Sequence, residues 1–175
     1  MPLVRGGRIV ADDYVRVADD APIPEGVPVL IGAARLAADP AILDRKAPVG
    51  VIWPNNRKIE ELESYLGRLA SIALIFPTFR DGRAYSQARR LRGRYGFKGE
   101  LRATGQVLRD QFLFMLRAGF DAFEVTKELD AEAFPEVIHR YTRFYQPSID
   151  DRPVISRIRR MRDAQTQTMP TRKAS

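Results

Sequence analysis

The chain has 175 residues, with 29 Lys and Arg against 22 Asp and Glu, one His and no Cys. The missing Cys excludes a protein-held iron–sulfur cluster, a Cys-x-x-Cys pair, a Cys nucleophile and a zinc ribbon, and the lone His139 removes the common His-rich metal sites, so no metal is expected. The length fits one domain, no apolar run approaches the ~20 residues of a membrane span, and Met1 to Val17 has no apolar leader core; the expectation is a soluble cytoplasmic protein.

Along the chain, Leu3-Val4 and Ile9-Val10 flank Arg5-Gly6-Gly7-Arg8, the signal of a tight hairpin. Tyr14, Val15 and Val17 point to a further short strand, and Pro22, Pro24, Gly26 and Pro28 mark a loop. Val29 to Ile31 reads as a strand before a helical stretch over 33–46, where Asp39-Pro40 restarts the helix as an N-cap followed by Pro. Val49 to Trp53 is the next strand. A helix over 57–69 places Ile59, Leu62, Leu66 and Leu69 on one face. Ile72 to Phe76 is a third apolar strand, followed by a basic helix over 84–95. Glu100 to Thr104 is a strand with Leu101 and Ala103 on one face and Arg102 on the other. A helix over 106–118, a strand from Phe120 to Val125 and a helix over 130–142 complete the run.

Strands near residues 29, 49, 72, 100 and 120, each followed by a helix, have the βα rhythm of a parallel sheet. The fold class expected is therefore α/β: a mainly parallel sheet of about five strands in βα units, as an open sheet or partial barrel, with an N-terminal β-hairpin. Eight βα units need ~250 residues, so a full barrel does not fit. Residues 1–146 are expected to form the single domain, and 147–175 a basic, flexible tail.

The charge is uneven. Residues 83–117 hold nine basic and two acidic residues, net +7, while 1–82 carry −1 and 118–146 carry −3; the last 29 residues carry +4. Only five of the basic residues are Lys. Arg offers a planar fork that matches oxyanions, a property Lys lacks.

Ligands of parallel α/β sheets bind beyond the carboxyl ends of the strands. That rule singles out Pro77 to Ser86, then Thr104-Gly105-Gln106 with Arg109, Asp110 and Gln111, then the segment after Glu124-Val125. In a functional reading, Arg83, Arg102 and Arg109 with the hydroxyls of Tyr85, Ser86 and Thr104 bind a small anion beside a helix N-terminus, and Asp81 and Asp110 are the acid/base candidates. In a structural reading, Asp81-Gly82 is a turn, Ser86 an N-terminal helix residue, and Arg109 and Asp110 surface ion-pair partners. Gly93, Gly96 and Gly99 precede a strand, so they form a helix-end turn and not a dinucleotide site. His139 reads as a surface residue, Trp53 as core or edge, and the run Arg157 to Arg162 lacks the interleaved aromatics of a nucleic-acid platform.

The segments Phe79-x-Asp81-Gly82-Arg83-x-Tyr85-Ser86-x-Ala88-x-x-Leu91-Arg92, Gly99-Glu100-Leu101-Arg102-Ala103-x-Gly105-x-Val107-Leu108-Arg109-Asp110-Gln111 and Gly119-Phe120-Asp121-Ala122-Phe123 resemble domain-of-unknown-function family 934. The likeness extends over nearly all of residues 1–146. The family comprises small bacterial proteins encoded beside sulfite reductase and often labelled as oxidoreductases of sulfite reduction. The resemblance implies an accessory protein of assimilatory sulfite reduction, an oxidoreductase or an oxyanion-handling protein. The alternative is a non-catalytic adaptor that docks on sulfite reductase or another acidic partner through the basic 83–117 face. Electron transfer would require a bound cofactor, and no motif in the chain assigns one.

Overall fold

The computed structural model describes residues 1–141, 143–150, 152, 154 and 155. Eight strands form one sheet: β1 (Leu3–Arg5), β2 (Arg8–Val10), β3 (Val15–Val17), β4 (Val29–Gly32), β5 (Val49–Trp53), β6 (Ser71–Phe76), β7 (Glu100–Gly105) and β8 (Ala122–Glu124). Their order is β2-β1-β8-β7-β6-β5-β4-β3. Strands β3 to β8 run parallel as successive neighbours, and β1 is antiparallel to both β2 and β8. The α/β class, the mainly parallel sheet and the N-terminal hairpin agree with the sequence reading, but the sheet has eight strands and not about five. The hairpin does not stand apart, because β1 pairs with the otherwise free edge of β8 and β3 with that of β4. Three-residue strands carry no pattern that names the edge they will join.

The connectivity forces the sheet to curl. Edge strands β2 and β3 are joined by only four residues, 11–14, which span roughly 18 Å when extended. Laid flat, eight strands spaced ~4.8 Å apart would separate those edges by about 34 Å. The result is an open, strongly curled half-barrel, with one face concave and the other covered by helices.

Alternation along the strands assigns the faces. Val29, Ile31, Val51, Trp53, Ile72, Leu74, Phe76, Leu101, Ala103 and Phe123 belong to the main core under the helices. The intervening residues, Leu30, Gly50, Ser71, Ala73, Arg102 and Ala122, are also buried, so the strands are covered on both sides. Most of them are small because curling crowds the concave face. At Gly50 an added Cβ would lie 2.6 Å from Leu30 Cδ2 and 3.0 Å from Ser71 Cβ.

The helices are α1 (Ala33–Ala38), α2 (Arg83–Gly93), α3 (Phe112–Ala118), α4 (Glu128–Glu132) and α5 (Phe134–His139), with 3₁₀ helices at Pro40–Asp44, Ile59–Tyr65 and Arg109–Gln111. The expected helix over 57–69 is a 3₁₀ helix, on which Ile59 and Leu62 align because side chains three apart eclipse. Pro135, in the first turn of α5, lacks an N–H and splits the expected 130–142 helix in two. α3 begins only after an extended Leu108 and a 3₁₀ turn, and it ends at Gly119 in the left-handed region (φ 106°). Phe112, Phe123 and Phe134 meet with ring centroids 4.9–5.5 Å apart, fixing α3 and α5 on β8.

The chain stays on the domain past Gln146. Phe144, Val154 and Leu113 form a small cluster, Phe144 and Val154 join in a parallel bridge, and the Arg117 guanidinium lies 4.1 Å above the Phe144 ring. The rest of the expected flexible tail, 156–175, with its Arg157 to Arg162 run, lies outside the described residues. Among the described residues, no helix is long and apolar enough to cross a membrane.

Candidate anion cleft and the interior arginine network

Two arginine-rich groups lie on opposite faces of the sheet. The outer one begins at the carboxyl end of β6. The 77–82 loop is held by two glutamines: the Phe79 N–H donates to Gln106 Oε1 at 2.7 Å, and Gln111 Nε2 donates to the Phe79 carbonyl at 2.9 Å. Asp81 then turns the chain into α2. Its Oδ1 accepts the Arg83 backbone N–H, and its two oxygens take a bidentate grip on the Arg83 guanidinium at 2.6–3.2 Å. The Arg83 hydrogen bonds hold the Asp81 carboxyl far below the usual carboxylate range.

Arg83 lies in a cleft of about 240 Å³ between the loop after β5 and the first turns of α2. Asn55, Arg57 and Lys58 come from the loop, and Arg83, Ser86, Gln87 and Arg90 from α2; Ile59 and Glu60 complete the wall. Gln87 is buried and pins the loop to the helix, its Nε2 donating to the Pro54 and Arg57 carbonyls at 3.2 and 3.0 Å. Its Oε1 has no partner, and buried Asn55 Nδ2 makes no hydrogen bond of full geometry, though it is near enough to Asp81 to favour that carboxylate. Arg57 pairs with Glu61 and Arg90 with Glu60 at exposed positions, whereas Lys58 makes no ion pair among the described residues. Four cations, one helix N-terminus and the Asn55 amide thus surround a site at the carboxyl end of a parallel sheet, a donor set suited to an oxyanion, whereas Gln87, with Nε2 already engaged, has only its acceptor Oε1 free.

The inner group centres on Arg102, whose side chain has 0% exposure. Its Nη1 donates to Asp12 Oδ2 at 2.7 Å and to Glu124 Oε1 at 3.1 Å, and its Nε to Glu100 Oε1 at 3.0 Å. Glu100 also accepts from Arg5 Nε at 2.8 Å and from the Ser71 hydroxyl at 3.1 Å, and Glu124 from the Thr104 hydroxyl at 2.6 Å and from Arg16. The Arg102 guanidinium lies 5.3 Å from the centre of the Tyr14 ring. Burial alone would favour neutral Arg102, but Asp12, Glu100 and Glu124 push its pKa up instead. Burial would likewise raise the Asp12 carboxyl; the Arg102 and Tyr14 hydrogen bonds and the charges of Arg102 and Arg16 hold it below the usual range. Three cations, Arg5, Arg16 and Arg102, thus meet three carboxylates, leaving no excess charge for an anion.

The structure divides the residues expected at the site. Arg83 and Ser86 line the outer cleft, and Asp81 positions Arg83 without lining it. Tyr85 packs edge-on against Phe76 and Phe120 with centroids at 5.2 and 6.4 Å, and burial, with the Asp110 charge, pushes its hydroxyl up to about 12. Arg102 belongs to the concave face, across the sheet from Arg83. Arg109 and Asp110 are exposed on the 3₁₀ turn and do not line the cleft. The sequence reading overlooked Asn55, Arg57, Lys58, Gln87 and Arg90, although the polar run Asn55-Asn56-Arg57-Lys58 directly follows a strand, the position it used elsewhere. It also overlooked Asp12, Arg16, Glu100 and Glu124, which no local signal connects. His139 is exposed, as expected, with Nδ1 2.7 Å from the Pro135 carbonyl. Among the described residues, no group of three His, Asp or Glu side chains is arranged to hold a metal ion.

A family model described as a bacterial protein of unknown function (DUF934) matches residues 50–155, which span β5, α2 and the Phe144–Val154 bridge. A comparison with curated proteins finds no match.

Proposed function

We propose that this chain, which belongs to the DUF934 family, is an oxyanion-binding protein that takes its ligand in the cleft between the β5 loop and α2. One observation carries the reading: Arg57, Lys58, Arg83 and Arg90 converge on the first turns of α2, at the carboxyl ends of β5 and β6. Asp81 presets the Arg83 fork, so little side-chain freedom remains to be lost on binding. In the sulfite-reduction setting that the motifs imply, the ligand is sulfite or a related sulfur oxyanion. The protein's part is then to hold that anion as an accessory of the pathway. Phosphate shares the tetrahedral oxygens of sulfate, whereas sulfite is pyramidal with three, and phosphate serves as the reference ligand.

Calorimetric titration with sulfite, sulfate and phosphate tests the reading. At least one should bind with salt-sensitive affinity that falls about tenfold, or ~1.4 kcal/mol, in Arg83→Ala and Lys58→Ala. Absence of binding by all three, or affinity indifferent to both substitutions, rejects it.

A second reading is a non-catalytic adaptor for an acidic partner such as sulfite reductase. The observation favouring it is that Arg89, Arg94 and Lys98, on and just after α2, are exposed and make no ion pair among the described residues. Such a surface steers acidic partners in a salt-dependent way. Capture of sulfite reductase at low but not high salt, lost in Arg89→Glu/Arg94→Glu, is the expected result.

A further inference from the structure

The anion cleft has a neighbour. A slot of about 170 Å³ opens between α1, the end of β5 and the 3₁₀ helix Ile59–Tyr65, walled by Leu36, Ala37, Trp53 and Tyr65. Arg57 lines both the slot and the cleft. Its guanidinium lies 4.7 Å above the Trp53 ring, and Glu61 anchors it from the slot side. The two spaces thus share one wall, made of a flat cation stacked on an aromatic ring. One space is lined by four cations, the other by the aromatic and aliphatic side chains of Trp53, Tyr65 and Leu36 with the Arg57–Glu61 pair at its side.

Three unpartnered buried polar atoms lie here; others among the described residues, such as Arg102 Nη2 and the Tyr95 hydroxyl, lie elsewhere. Trp53 is 2% exposed and its Nε1–H has no hydrogen-bond acceptor. Asn55 and Gln87, each 7% exposed, keep Nδ2 and Oε1 without a regular partner. Buried indole and amide groups ordinarily find partners, so the two orphan donors, Trp53 Nε1–H and Asn55 Nδ2, call for an acceptor. The oxygens of a ligand seated across both spaces supply one; the Gln87 acceptor is not explained by it.

We propose that the ligand is an organic ester of phosphate or sulfate, with its anionic head in the cleft and an aromatic ring in the slot beside Trp53. This rests on the oxyanion reading and goes beyond it, because a free inorganic anion would leave the slot empty. Arg57 then does two jobs: its charge faces the head and its plane faces the ring. Size limits the body to roughly one ring system, since the slot is small and walled by bulky side chains.

The chain holds a single Trp, so Trp53 fluorescence reports the slot directly. The test titrates the full chain with phenyl phosphate, inorganic phosphate and phenol, following heat and Trp53 fluorescence. Phenyl phosphate should bind at least tenfold tighter than inorganic phosphate and change the fluorescence, while phenol alone binds more weakly than either. Ala37 is exposed on α1, so Ala37→Phe fills the slot without touching the cleft. It should abolish the advantage of phenyl phosphate and leave inorganic phosphate affinity within twofold. Equal affinities for phenyl phosphate and inorganic phosphate, or a fluorescence change that survives Ala37→Phe, overturn the proposal. If inorganic phosphate still binds and responds to Arg83→Ala, the oxyanion reading outlives that failure. If neither phosphate nor phenyl phosphate binds, this proposal falls, and the oxyanion reading falls with it only when sulfite and sulfate also fail to bind.

Discussion

Arg83 and Arg102 lie in the same basic segment, yet the sheet sends them to opposite fates. Arg102 points into the curled interior, is closed off from water and is matched by Asp12, Glu100 and Glu124. Arg83 lies outside, exposed, with one carboxylate that orients it, Arg90 further along α2 and Arg57 and Lys58 across the cleft. The same residue type is structural where charges balance in a dry interior, and available to a ligand where positive charge exceeds negative at a wet rim. Arginine count therefore says little about function until the face is known.

The largest test of that contrast is Arg102→Ala. It removes the buried cation shared by Asp12, Glu100 and Glu124, leaving Asp12 without its ion pair while Glu100 keeps Arg5 and Glu124 keeps Arg16, and should cost about 3–5 kcal/mol in urea unfolding. A loss below about 1 kcal/mol would mean the interior is wetter than its burial implies. Gly50→Val comes next. The added atoms meet Leu30 and Ser71 on the tightly curled face, and a destabilisation of about 1–3 kcal/mol is expected in the same assay. Arg83→Ala should behave in the opposite sense, with stability within ~0.5 kcal/mol of the parent but oxyanion affinity reduced about tenfold. If Arg83→Ala unfolds the protein and Arg102→Ala does not, the assignment of the two faces is reversed.

Acid and base provide the finest test. The Asp12 carboxyl is held below its usual range, so its ion pair stabilises the fold above the ordinary Asp pKa. That contribution is lost as pH falls through the lower, folded value. Asp12→Asn should flatten this part of the acid unfolding curve. Tyr85 has its pKa raised from 10.0 to about 12 by burial, so its contribution is intact below pH 10 and disappears as pH rises through about 12. Absorbance titration should show a late tyrosinate step that Tyr85→Phe removes.

Much of the architecture was legible locally. Three of the five main strands, at 29, 49 and 72, are apolar runs between turn signals, and Asp39-Pro40 marks a real interruption, whereas the expected 130–142 helix passes over the break at Pro135. Leu101 and Ala103 do face away from Arg102, because alternation in a strand is a local property. The candidate site was half legible: Arg83 and Ser86 follow from the loop after β6, whereas their partners Asn55, Arg57 and Lys58 sit about 30 residues earlier, after β5. Only the parallel pairing of β5 with β6 brings those two loops together.

Sequence by itself determined the parallel βα character of the chain, the two faces of each strand and the concentration of positive charge over 83–117. These follow from periodicity and composition, which act over a few residues. Tertiary structure alone decided that the sheet curls to bring its edges β2 and β3 within the reach of a four-residue link, that Arg102 is enclosed by Asp12 from a distant loop, and that Arg57 divides a basic cleft from an aromatic slot. Those arrangements depend on strand order and sheet curvature, which arise from the joint packing of all eight strands and from no single segment of the chain.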